Sequence, residues 1–85
     1  GMASKIYVSG FPPTYTQREL RQIFVPFGHV KSVKVQRDAH GYIIGVVQMS
    51  SPEEVEHIFG AQQVFQVEGK HLDIWEPPDS EAARN

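Results

Sequence analysis

The sequence predicts an α+β sandwich of four strands and two helices, ordered strand, helix, strand, strand, helix, strand, with both helices on one face of the sheet. Three observations carry this. Residues 42–49, Tyr-Ile-Ile-Gly-Val-Val-Gln-Met, form an apolar, β-branched run between Ala39-His40-Gly41 and Ser50-Ser51-Pro52, the composition of a central strand. Two capping-box sequences, Thr16-Gln-Arg-Glu19 and Ser51-Pro-Glu-Glu54, each precede apolar residues at helical spacing. The remaining apolar segments alternate with polar residues at the period of a half-buried strand.

Taken in order, Lys5-Ile-Tyr-Val-Ser9 alternates, with Ile6 and Val8 on one face and Lys5, Tyr7 and Ser9 on the other; Gly10 and Pro12-Pro13 end it. Thr16 caps a first helix whose stripe is Leu20, Ile23, Phe24 and Phe27. Pro26 makes its last turn irregular, and Gly28 stops it. Val30 to Gln36 is a second strand, with Val33 and Val35 inward and Ser32, Lys34 and Gln36 outward. A turn at Arg37-Asp-Ala-His-Gly41 leads to the 42–49 strand, with Ile43, Gly45, Val47 and Met49 inward and Tyr42, Ile44, Val46 and Gln48 outward. Ser51 caps the second helix, Pro52 takes its first position, and Val55, Ile58 and Phe59 form its buried stripe; Gly60 is tolerated or ends it. Val64 to Val67 makes a short ribbon turning at Glu68-Gly69. A last strand runs from about Lys70 to Trp75, with Leu72 and Ile74 inward and His71, Asp73 and Trp75 outward. Each helical crossover implies parallel strands as neighbours, and the short link between the middle strands implies an antiparallel pair.

Eighty-five residues allow one domain with one core. Hydrophobic content of 40% and charged content of 21% are ordinary for a globular fold. The absence of cysteine excludes disulfides and thiolate metal sites, and no apolar run approaches the roughly 20 residues that span a bilayer. Gly1-Met2 reads as a remnant before a trimmed start, and the polar tail from Asp79 to Asn85 as mobile. The net charge of −2 hides an asymmetry. Residues 1–50 hold six basic groups against two acidic ones, whereas residues 51–85 hold two against eight, so a basic patch can sit on an acidic domain.

Helices on one side leave the other face of the sheet open. The outward residues meet there: Lys5, Tyr7, Ser9, Lys34, Gln36, Tyr42, Ile44, Val46, Gln48, Asp73 and Trp75. Three rings and two aliphatic side chains on one solvent-facing surface mark an interaction site. Rings flanked by Lys5 and Lys34 suit single-stranded nucleic acid, because bases stack on them while ammonium groups lie near phosphates. Taken singly, each ring is more often a packing residue. Their convergence favours binding.

Ile6-Tyr-Val-Ser-Gly-Phe11 resembles the hexapeptide of the RNA-recognition motif (RRM), and Tyr42 to Met49 aligns with that family's octapeptide. The resemblance extends over Lys5 to Glu76, so residues 5–76 are read as the domain, with 1–4 and 77–85 as flexible termini. Val55 to Gln63 together with Val67 to Ile74 is most similar to the hnRNP-like branch. The family implies a ferredoxin-like βαββαβ sandwich, a four-stranded antiparallel sheet with two helices on one face, binding single-stranded RNA across the sheet. It implies intracellular residence, nuclear or cytoplasmic, which the residues themselves do not encode. Tyr7 keeps the family's hexapeptide stacking position. The octapeptide departs: its pattern asks for a basic residue first and rings third and fifth, where this chain has Tyr42, Ile44 and Val46. The implied RNA-binding set is Lys5, Tyr7, Lys34, Gln36, Arg37, Tyr42, Ile44, Val46, Gln48 and Trp75. Tyr7, Tyr42 and Trp75 stack, and Lys5, Lys34 and Arg37 approach phosphates.

Two alternatives stand beside this. The face can dock a protein through Ile44, Val46 and Trp75, or Pro77-Pro78 can fold back over Ile44 and Val46. The family's helix-side peptide binders carry an acidic first helix and an Arg-x-Phe loop; Gln63-Val-Phe65 lacks that arginine. Catalysis is not expected. His29, His40, His57 and His71 lack metal-ligand spacing, no nucleophile elbow or phosphate loop is present, and Glu53, Glu54 and Glu56 suit a helix N-terminus. Small hydrolases of the same topology need an arginine and asparagine constellation, and there is no asparagine before Asn85. No cofactor, metal or membrane partner is implied.

Overall fold

The computed structural model describes residues 4–61 and 64–77. Its elements are β1 (Lys5–Ser9), α1 (Gln17–Phe24), a 3-10 turn (Val25–Phe27), β2 (Val30–Arg37), β3 (Ile43–Met49), α2 (Pro52–Gly60), β4 (Gln66–Val67), β5 (Lys70–His71) and β6 (Asp73–Trp75). The main sheet is ordered β2-β3-β1-β6, and all its neighbours are antiparallel. The parallel strands expected as neighbours are separated in the sheet. The strands joined through each helix do run parallel, but they are not neighbours: β3 lies between β1 and β2, and β1 between β3 and β6.

The inward residues of the strands meet the helix stripes. Ile6, Val8, Val47 and Met49 from the sheet, Leu20 and Phe24 from α1, and Val55 and Ile58 from α2 are sealed from solvent. Gly45 permits this closeness, since a Cβ there would lie 2.8 Å from Leu20 Cδ1. The 3-10 turn is where Pro26 denies α1 another hydrogen-bonded turn. It brings the Phe27 ring within 5.1 Å of Phe65.

Both capping boxes form. The Thr16 amide donates to Glu19 at 2.7 Å, and the Thr16 hydroxyl also donates to that carboxylate. Glu54 does more than close its box. Its carboxylate accepts from the amides of Ser50 and Ser51 at 3.0 Å each, the Ser50 hydroxyl at 2.5 Å and the His29 amide at 2.8 Å. One side chain thereby ties the entry of β2, the exit of β3 and the start of α2. The Ser50 hydroxyl first, and then the His29 amide, hold its pKa down at about 2. Gly28 leaves room for this latch. Its φ of 149° suits glycine, and a Cβ there would collide with the Glu54 carboxylate.

Two strand boundaries differ from expectation. Tyr42 belongs to the loop before β3, because its amide donates to Asp38 Oδ1 at 2.9 Å and its carbonyl accepts from the Asp38 amide at 2.8 Å. The last strand is cut in two. Glu68 and Gly69 both take positive φ, 53° and 81°, which closes β4 and β5 into a tight hairpin. Leu72 then turns inward, buried, with its amide on the Phe65 carbonyl at 3.0 Å, and only β6 joins the main sheet. Pro77, counted with the tail from sequence, is buried at the end of β6; Pro78 and the rest of that tail lie outside the described residues. No described helix is long and apolar enough to cross a membrane.

Candidate nucleic-acid interface

Cross-strand register sets the face away from the helices into rows. The central row is Lys34, Val46, Tyr7 and Trp75, each opposite the next. On one side of it, Gln36 pairs with Ile44 on β3, and Ser9 with Asp73 on β6. On the other side lie Ser32, Gln48 and Lys5. The alternation read from sequence therefore places these side chains on one surface.

Tyr7 and Trp75 form the ring pair of this surface. Their centroids are 5.8 Å apart and their planes 80° apart, an edge-to-face contact. Trp75 is 38% exposed. Tyr7, Ile44 and Val46 are half-buried, and all three lie outside the core cluster and its apolar fringe. The face thus holds a ring pair at β1–β6 and an aliphatic floor on β3.

The other candidates are placed less uniformly. Lys34 and Gln36 are exposed, and Lys5 is half-buried. Arg37, expected in the turn, ends β2 opposite the core-packed Ile43, so it has the parity of the helix side and not of the Lys34–Gln36 face. It is exposed at the strand end, where one guanidinium nitrogen donates to the Gly41 carbonyl at 2.7 Å and braces the β2–β3 loop. Its other donors remain for a ligand at that end. Tyr42 is 71% exposed. It sits four residues from Val46, about 13 Å along the strand direction, so it stands apart from the ring pair. It borders a shallow depression together with Arg37, Ser9 and Phe11. Gln48 is engaged within the domain, donating to Ser4 Oγ at 3.0 Å and to the Met49 carbonyl at 3.3 Å.

Three residues outside the expected set shape the site. Ser4 holds Gln48. Asp38 accepts the amides of His40 and Tyr42 at 2.9 Å and so presents the Tyr42 ring; an aspartate opening a tight loop signals this. Asp73 is exposed beside Trp75 and opposite Ser9, an acid on the face that carries Lys5 and Lys34. Alternation along the last strand places it there, although its charge is the opposite of a phosphate partner's. Among the described residues, no group of three or more His, Asp or Glu is placed to hold a metal.

The family model for the RNA recognition motif matches residues 6–73. Polyadenylate-binding protein 2 of Arabidopsis thaliana is 35% identical over 72 residues, covering 82% of this chain and 11% of the relative. The human RNA-binding motif, single-stranded-interacting protein 3 is 36% identical over 55 residues, covering 62% of this chain and 13% of the relative. The chain therefore spans little more than a tenth of either. Among solved structures, the SXL-lethal protein/RNA complex superposes with a TM-score of 0.75 at 22% identity, over 89% of this chain and 47% of that one. The RNA15 RRM superposes with a TM-score of 0.76 at 15% identity, over 98% and 99%. These two likenesses show the fold.

Proposed function

The chain belongs to the RNA recognition motif family, and on that premise we propose that it binds single-stranded RNA across the open face of its sheet. The observation that carries the reading is the central row. Lys34, Val46, Tyr7 and Trp75 stand side by side on the face away from the helices. Tyr7 and Trp75 offer ring faces or edges to one or two bases, each stack contributing about 1–3 kcal/mol. Ile44 and Val46 give neighbouring bases apolar contact without a ring. Lys34, Lys5 and the free donors of Arg37 lie toward phosphates, and Tyr42 extends the surface at the loop end. Gln36 offers an amide to base or sugar. Gln48 contributes less, since its own amide is engaged. The names of the relatives, polyadenylate-binding and single-stranded-interacting, point to the same ligand class.

Trp75 is the chain's one tryptophan, so its emission reports on the site without a label. Titration with short single-stranded RNAs at several salt concentrations should quench Trp75, with an affinity that falls as salt rises. NMR shifts should cluster on β1, β3 and β6. Shifts confined to the helices, or none at millimolar RNA, would remove the proposal. Ile44 and Val46, where the family's pattern has rings, favour a second reading in which this face docks a protein. Salt-insensitive capture of a partner, lost in Val46→Asp, together with no RNA binding, would select it.

A further inference from the structure

We infer that Asp73 makes this face selective for bases bearing amino groups, guanine first, and against uracil. The inference rests on the RNA-binding reading and adds to it which bases the site takes. Asp73 is exposed and shares the outward parity of Trp75. Tyr7 pairs directly with Trp75, which makes Asp73 the diagonal neighbour of the Tyr7 ring. Diagonal neighbours across an antiparallel pair lie about 7–8 Å apart, their Cβ atoms somewhat closer. That is the reach of a base stacked on one ring with a hydrogen bond at its edge. No side-chain hydrogen bond or ion pair occupies the Asp73 carboxylate among the described residues. The hydroxyl-bearing Ser9 faces it across the strand pair.

Charge decides which way a strand can lie. Lys34 stands on the open face of β2, at one edge of the sheet, and Asp73 on β6, at the other. A phosphate over Asp73 would be repelled, so the backbone belongs over β2, β3 and the Lys5 end of β1, and the base edges at the ring pair point toward β6. An ionised carboxylate only accepts hydrogen bonds. Guanine offers it two adjacent donors, N1–H and the 2-amino group, in a bidentate match. Adenine and cytosine offer one amino group each. Uracil offers a single N3–H flanked by two carbonyl oxygens, which the carboxylate repels. A good bidentate contact discriminates by about 5- to 150-fold, and on this open face the lower part of that range is expected.

The test compares seven-nucleotide RNAs, all uridine except for one central G, A, C or inosine, by anisotropy and Trp75 quenching against the wild type, Asp73→Ala and Asp73→Asn. The wild type should bind the G oligonucleotide at least about fivefold more tightly than oligouridine. A and C should fall between, and inosine, which lacks the 2-amino group, should drop to their level. In Asp73→Ala the spread should collapse to about twofold, with oligouridine bound more tightly than by the wild type. Wild-type binding that favours uridine, or a G preference unchanged in both variants, overturns this inference and leaves RNA binding standing. Failure of every oligonucleotide to bind overturns both.

Discussion

Replacing Trp75 with alanine separates the binding role of the ring pair from its packing role. Trp75 is 38% exposed and meets Tyr7 edge-to-face at 5.8 Å, so its removal deletes one aromatic contact and part of one ring's burial. Such a contact contributes about 0.5–1.5 kcal/mol. With the partial burial added, a stability loss of about 1–2 kcal/mol is expected, and each kilocalorie lowers the Tm of a domain this size by about 4–8 °C. The variant therefore stays folded at room temperature. Binding should fall by one stack, about 1–3 kcal/mol or 5- to 150-fold in Kd. The slope of log K against log salt should not change, because no charge is removed. Tyr7→Ala and the double variant complete a cycle in which the losses sum to less than the separate effects, since each ring orients the other. Anisotropy with a labelled oligonucleotide measures all four proteins. A folded Trp75→Ala that binds within twofold of the wild type refutes the platform.

Lys34→Ala should weaken binding to every sequence alike and make the salt slope shallower by about 0.7, the value for one single-strand phosphate contact; an unchanged slope moves the phosphate track elsewhere. Gly28→Ala should cost about 1–3 kcal/mol, because a side chain is strained at that φ and displaces the Glu54 latch, as read by urea denaturation. Glu54 supplies a pH dependence. Its folded pKa, about 2, lies below the ordinary value of 4.5. Its stabilisation is therefore complete above pH 4.5 and is lost as the pH falls toward 2. Glu54→Gln should be less stable than the wild type at pH 6 and should lose less stability over that window. Glu19, also lowered by its Thr16 contacts, leaves a residual slope in the variant, and equal slopes for both proteins would contradict the latch.

Much of this fold was legible because two periods and two capping signals are local. Ile6 and Val8 alternate with Lys5 and Tyr7 whatever the rest of the chain does, and Ser51 with Glu54 starts a helix within four residues. The face assignment follows from the same alternation, which puts Tyr7, Val46 and Trp75 on the outward parity of their strands. What sequence missed depends on nonlocal or unsignalled geometry. The cut at Leu72 accompanies the bond from its amide to the Phe65 carbonyl across the β4–β5 hairpin, a pairing with no signal at Leu72 itself. Tyr42 leaves the strand because Asp38 captures its amide, a competition between side chain and ladder. The contact of Tyr7 with Trp75 needs the β1–β6 register, which pairs residues far apart in the chain and has no local trace.

The substitution of rings by Ile44 and Val46 then has a thermodynamic consequence. Two absent stacks remove about 2–6 kcal/mol of sequence-tolerant affinity, while the cations on β1 and β2 remain. On the proposed mode the electrostatic share of binding should therefore rise in this domain, and the non-electrostatic share should concentrate on β1 and β6, where Tyr7, Trp75 and Asp73 are neighbours. Under the proposed binding mode, such a face should bind weakly where only phosphates and one ring pair are engaged, and should tighten when the base at that pair satisfies the carboxylate beside it. Affinity and base preference are then coupled at one corner of the sheet instead of spread across its centre. Restoring a ring on β3 by Val46→Phe should for that reason raise affinity for all single strands while reducing the ratio between the best and worst base at the Trp75 corner, because a strand that can register on the new ring no longer depends on that corner.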